Sequence, residues 1–141
     1  MIFFIMRINY QKITIIRASQ APKENINDQL QWLGGSLGLF NLRDKDKSCF
    51  RIFIELIKAS RLGNSISSDE LAEMLSLTRG TVVHHLTKLM EAGIVIHKTN
   101  HYALRSDTLF NLVEEMEHDF GRMIKILKDV ATDIDRKLEF R

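Results

Sequence analysis

One cysteine, Cys49, in 141 residues leaves nothing to build a disulfide framework from. Long hydrophobic runs are missing as well. The apolar stretch ahead of Arg7 is six residues counting Met1, shorter than a signal-peptide core and far short of a membrane span, so the chain reads as cytoplasmic, with no membrane partner. Charge of one sign is scarce: 20 Lys and Arg against 18 Asp and Glu give a formal net charge of +2, too little by itself to point to nucleic acid. The glycines form no phosphate cradle, because the run Gly34-Gly35-Ser36-Leu37-Gly38 lacks the Lys and the preceding strand of a nucleotide site. Ser, His and Asp occur, but nothing sets a nucleophile beside a base. The sequence therefore does not read as an enzyme, and no cofactor is expected.

What is present is concentrated in residues 67–105. Ser67 stands three residues before Glu70, the spacing of a capping box, and Leu71, Met74 and Leu75 give the helix that follows one apolar face. Ala72 is small where a second helix would cross. The turn Ser76-Leu77-Thr78 offers Leu77 as a plug and Thr78 as the cap of the next helix. There Val82, Leu86 and Leu89 recur at i, i+4 and i+7 as the buried stripe, while Arg79, Thr81, His84 and Lys88 project from the other side, where a major groove would meet them. Gly93 ends the helix, Ile94-Val95-Ile96 reads as a strand, and a turn at Lys98-Thr99-Asn100 leads to a return strand over residues 101–104. Two helices around a tight turn and then a hairpin make a winged helix-turn-helix. Lys98 and Arg105 would reach phosphates from the wing, and Asn100 a minor groove; such contacts fix register, and the helix face reads bases.

The run LSLTRGTVVHHLTKLMEAGIV, residues 75–95, resembles the recognition region of ArsR-type winged helix-turn-helix repressors, with its capping Thr, a Val, paired His and Leu-x-x-Leu before a Glu-Ala-Gly ending. The chain also resembles archaeal regulators in which an Arg-Asp-Lys-Asp-Lys-Ser segment, here residues 43–48, precedes the DNA-binding unit. The resemblance spans roughly residues 40–138 and implies a homodimeric, DNA-binding transcriptional regulator. By position, the family's DNA contacts fall on Arg79, Gly80, Val83, His84 and Lys88. Val83 departs from the polar Ser often found there and suits a thymine methyl rather than a hydrogen bond. ArsR-type metal sensors often carry a Cys-x-Cys pair on the first helix of the motif; Glu73-Met74 stand here, so that thiolate site is absent. Glu114 and His118 share a helix face at i, i+4, but ordinary pairing on an acidic surface gives the same pattern, and His97 and His101 bracket the wing turn near where a DNA backbone would lie. No metal is assigned.

Charge is unevenly spread: residues 40–105 carry ten Lys and Arg against seven Asp and Glu, and residues 106–141 six against nine, so the two parts are +3 and −3. That is the polarity expected if one end faces phosphate. In the acidic tail Leu109, Val113, Met116, Phe120, Met123, Leu127, Val130 and Ile134 alternate by four and three residues, an a/d seam, with Ser106 and Asp107 at its start and no proline inside. About 30 residues of helix is roughly 45 Å, too long for so small a domain to cover, which predicts a dimerisation helix. The alternative is that it folds back on an N-terminal helix. Gly121 weakens it by about 1 kcal/mol relative to Ala and leaves room for another backbone.

Upstream, Asp46 is placed to cap a helix to about Ser60 with Phe50, Phe53, Ile54 and Ile57 on one face, the central helix of the core. Ile26, Leu30, Leu33 and Leu37 have helical spacing broken at Gly34-Gly35, and Trp32 reads as a packing residue. Residues 2–6 and 13–16 suggest strands. The expected architecture is mainly α with a small β wing: an N-terminal extension (1–42), a winged helix-turn-helix (43–105) and a C-terminal dimerisation helix (106–141). The expected partners are double-stranded DNA and a second copy. A protein-interaction module in a transcription complex, or a metal- or ligand-responsive repressor, would use the same fold.

Overall fold

The centre of the core is one helix. In the computed structural model, which describes residues 15–16, 20–40 and 46–139, α2 (Ser48–Arg61) follows α1 (Ile26–Ser36). Ile52, Phe53 and Leu56 of α2 are wholly buried, because apolar residues fall on more than one side of this helix. Around it come β1 (Ile66–Ser67), α3 (Ser68–Leu75), α4 (Arg79–Glu91), β2 (Val95–Lys98), β3 (His101–Leu104) and α5 (Leu109–Glu139). α2 packs on α3, α4 and β3. The strands form an antiparallel sheet ordered β1-β3-β2, with Ile66 opposite Tyr102 and Val95 opposite Leu104. This is a winged helix-turn-helix, mostly helical, with a small sheet and a long C-terminal helix.

Each turn has a local cause. Ser67 and Glu70 close the capping box of α3: the Ser67 hydroxyl accepts from the Glu70 N–H at 3.1 Å and the Glu70 carboxylate from the Ser67 N–H at 3.1 Å. α3 ends at Ser76, whose φ of 54° is left-handed and lets the Leu77 N–H reach the Ala72 carbonyl at 2.9 Å. Thr78 then caps α4, accepting from the Thr81 N–H at 3.1 Å. Gly93, at φ 77°, closes α4 while the Ile94 N–H returns to the Leu89 carbonyl at 2.9 Å, a Schellman ending.

Several expectations are corrected. α1 runs through Gly34-Gly35 instead of breaking there: a Cβ on Gly34 would lie 2.7 Å from the Phe50 ring, so the glycine serves close packing of α1 on α2, not a chain break. Asp46 is not the cap of α2; Lys47 occupies that position, left-handed at φ 54°, with no side-chain hydrogen bond. α5 starts at Leu109 rather than at Ser106 and Asp107, with the Thr108 hydroxyl accepting from the Asn111 N–H at 3.0 Å. β1 was not foreseen, since two residues carry no periodicity. The strands expected at residues 2–6 and 13–16 fall mainly outside the described residues.

One cluster of buried apolar side chains extends from Leu37 through the helix-turn-helix and wing to Leu112 and Met116 of α5. α5 has 31 residues, about 46 Å of helix. Its first turns pack on the domain; from residue 125 onward every described residue except Asp133 is exposed. Among the described residues no helix is long and apolar enough to cross a membrane.

Candidate nucleic-acid interface

α4 is divided sharply. Val82 and Leu86 are wholly buried and Leu89 nearly so, whereas Arg79, Gly80, His84 and Lys88 are exposed and Thr81 and Val83 half-buried. The stripe is fixed by its packing on α2 and α3, so the orientation of the outward face follows from the core. Thr78 is exposed, and its hydroxyl donates to the Thr81 hydroxyl at 2.8 Å, which holds both at the helix entrance. The Arg79 guanidinium sits 3.3 Å from the Asp69 carboxylate with both side chains about three-quarters exposed. Such an exposed ion pair is worth at most about 1 kcal/mol. Nothing lies within 4 Å of where a Gly80 Cβ would be, so that backbone is open to close approach. Sequence reasoning passed over Thr87, which is exposed one turn beyond Val83 and donates to its carbonyl at 2.8 Å. Its i, i+4 relation to Val83 was the available signal.

On the wing, Lys98 and Asn100 are exposed beside Thr99, whose φ of 56° makes the tight turn. His97 does not project as a free ligand. It stacks on Tyr102 across the hairpin, ring centroids 4.5 Å apart and 8° from parallel. His101 lies 3.8 Å from Glu70, a loose tie between wing and α3. The Glu70 carboxyl is held below its ordinary value, chiefly by the Ser67 N–H bond and then by the Ser67 hydroxyl.

Arg105 is placed differently from a phosphate contact. Its guanidinium donates to both oxygens of Asp119 on α5, one of them at 3.3 Å, and also reaches the Gly93 carbonyl at 3.5 Å and Glu115 at 3.9 Å. Arg122 completes the cluster by donating to Asp119. Asp119 is 2 % exposed. Its hydrogen bonds, ahead of the opposing effect of burial, push Arg105 above its ordinary value. The end of the wing is thereby clamped to the long helix, and Arg105 is withdrawn from the surface that Lys98 occupies. A polar residue in the apolar pattern of a helix was the only signal for Asp119.

The residues read as a dimer seam divide too. Met116 is buried in its own domain's core and Leu109 packs against it, while Val113, Phe120, Leu127, Val130 and Ile134 are exposed and Met123 is half-buried. Leu112, absent from that seam, is wholly buried. Glu114 and His118 are both exposed, and among the described residues no group of three or more His, Cys, Asp or Glu is arranged to hold a metal ion.

The helix-turn-helix thus combines a buried stripe with an exposed polar face on α4, followed by a hairpin that exposes Lys98 and Asn100. Residues 62–97, from the end of α2 into β2, match the family described as bacterial regulatory protein, arsR family. No curated protein and no solved structure matches the chain. The matched segment begins after residues 43–48, so it lends nothing to the archaeal resemblance. The match supports a DNA-binding transcriptional regulator rather than an enzyme.

Proposed function

We propose that this chain is a sequence-specific regulator that binds operator DNA as a homodimer, with α4 in the major groove, the wing on the backbone and α5 joining the subunits. The division of α4 carries the reading: a fully buried stripe fixes the helix while Arg79, Gly80, His84 and Lys88 stand out in solvent. Arg and Lys are suited to guanine and phosphate, Val83 to a thymine methyl, and Lys98 and Asn100 to the flanking backbone and minor groove. The dimer has separate support. Of thirteen large apolar side chains exposed among the described residues, eight lie on α5, a concentration that marks a contact surface.

The test is selection from a random duplex library at near-physiological salt, sequencing what the purified protein retains. A two-fold-symmetric site with half-sites about 10 base pairs apart is expected. Absence of enrichment by a folded protein overturns the reading and leaves the module that binds a protein of the transcription machinery. That module would also be told apart by its weak response to salt.

A further inference from the structure

α5 carries two apolar stripes side by side. Leu109, Leu112 and Met116 lie on the one turned to the domain's core. The other runs the length of the helix at alternating steps of three and four residues and faces solvent: Phe110 is 75 % exposed, Val113 44 %, Phe120 45 %, Leu127 62 %, Ile134 51 % and Leu138 57 %. Glu117, Ile124 and Ala131 fill its remaining positions. A three-four period in which eight of nine positions are apolar and only Glu117 is charged calls for another helix, since knobs at that spacing fit the holes of a helical partner. We propose that this outer stripe is covered by the same stripe of a second copy, running antiparallel and crossing it near Gly121. The proposal rests on the homodimer reading and deepens it by fixing the seam and its direction.

The charges decide the direction. In a parallel pair each seam residue meets its own counterpart, so Glu117 would face Glu117 of the second copy, while the flanking Glu114 and Lys128 would face Leu109 and Met123. That buries two like charges and pairs none. In the antiparallel pair Glu114 lies opposite Lys128 of the second copy, twice by symmetry, and Glu117 lies beside Leu127, with the neighbouring Lys128 and Lys125 within reach of its carboxylate. Gly121 then meets Gly121. Nothing in its own domain lies within 4 Å of where its Cβ would be, so its own fold gives no reason for a glycine there, whereas a close crossing does.

Single cysteines in the full chain test this, Cys49 being buried. Under mild oxidation Gly121→Cys is expected to give a disulfide-linked dimer. Glu117→Cys is expected to stay unlinked, because the antiparallel register holds the two residues about 12 Å apart along the axis, against about 4 Å between Cβ atoms in a disulfide. The reverse pattern overturns the direction, and linkage at neither site overturns the seam. Glu114→Lys should raise the dimer dissociation constant about tenfold through its two symmetric pairs. Adding Lys128→Glu should restore it; a double variant as weak as the single one overturns the pairing. A wild-type chain monomeric by sedimentation, its stripe covered by its own N-terminal residues, overturns the proposal outright. Retention of duplex DNA by the wild type is scored separately, so loss of the regulator reading and loss of the seam give different results.

Discussion

Replacing Asp119 by Asn should cost more stability than any other charge-neutralising substitution on α5. The carboxylate is 2 % exposed and receives hydrogen bonds from Arg105 and Arg122. Removing one partner of a buried ion pair costs about 3–5 kcal/mol when the other charge is left dry. Here the arginine side chains are 23 % and 49 % exposed, so water recovers part of the loss. Arg105 also keeps Glu115 at 3.9 Å. The expected loss is therefore about 2–3 kcal/mol, below that range. By contrast the Lys125 and Asp129 pair, about 70–80 % exposed on both sides, should be worth less than about 0.5 kcal/mol.

The assay is urea unfolding followed by circular dichroism at fixed protomer concentration, since dissociation of a dimer would add a concentration term. Two partners in one network should also couple. A cycle with Arg105→Met should show the double variant recovering at least about 1 kcal/mol of the summed single losses. A loss below about 0.5 kcal/mol for Asp119→Asn, the scale of an ordinary surface change, or strictly additive losses in the cycle, would refute the idea that this cluster clamps wing to helix.

Further outcomes follow from the same geometry. Arg79→Ala and Lys88→Ala should each lower DNA affinity by at least about tenfold in fluorescence anisotropy, at about 1–3 kcal/mol for a good base contact, with the circular dichroism spectrum unchanged. Lys98→Ala should lower the slope of log affinity against log salt by about 2 per dimer, one phosphate per subunit; an unchanged slope places the wing away from DNA. Gly34→Ala should destabilise by about 1–3 kcal/mol in chemical unfolding, because the new methyl meets the Phe50 ring at 2.7 Å. The Glu70 carboxyl titrates below its ordinary 4.5, so the capping-box contribution is fully present above about pH 4.5 and is lost as the pH falls through the lower folded value. Glu70→Gln should flatten that part of the acid unfolding curve.

The helix-turn-helix was legible because its signals are local and redundant. Capping residues, a three-turn stripe and a closing glycine agree across residues 67–93, and each is recognised within a few positions. The same locality misled elsewhere. Gly34-Gly35 reads as a break because the pattern registers the lack of a side chain but not the Phe50 ring that needs the space. Arg105 looked like a phosphate ligand because the carboxylate that takes it lies 14 residues away, on another element. The strand β1 is legible only through its pairing with β3. Contacts between distant residues leave no period in a sequence.

On α5 burial divides residues that the heptad reading ran together. An α-helix repeats every 3.6 residues, so a helix that closes its own domain along one line and carries exposed apolar side chains along another shows a band wider than a single a/d line. From the sequence the centre of that band looks like the seam, and it picks up Leu109 and Met116. Burial separates the two flanks, with Leu112, Met116 and Asp119 facing inward and Phe110, Val113 and Phe120 outward within the same turns. A charge at Met116 would therefore enter the core and unfold the domain, whereas a charge at Phe120 would strike the outer stripe and leave the domain folded. Comparing Met116→Asp with Phe120→Asp by unfolding and by sedimentation separates the two roles. If both variants kept full stability, the inner flank would not be core.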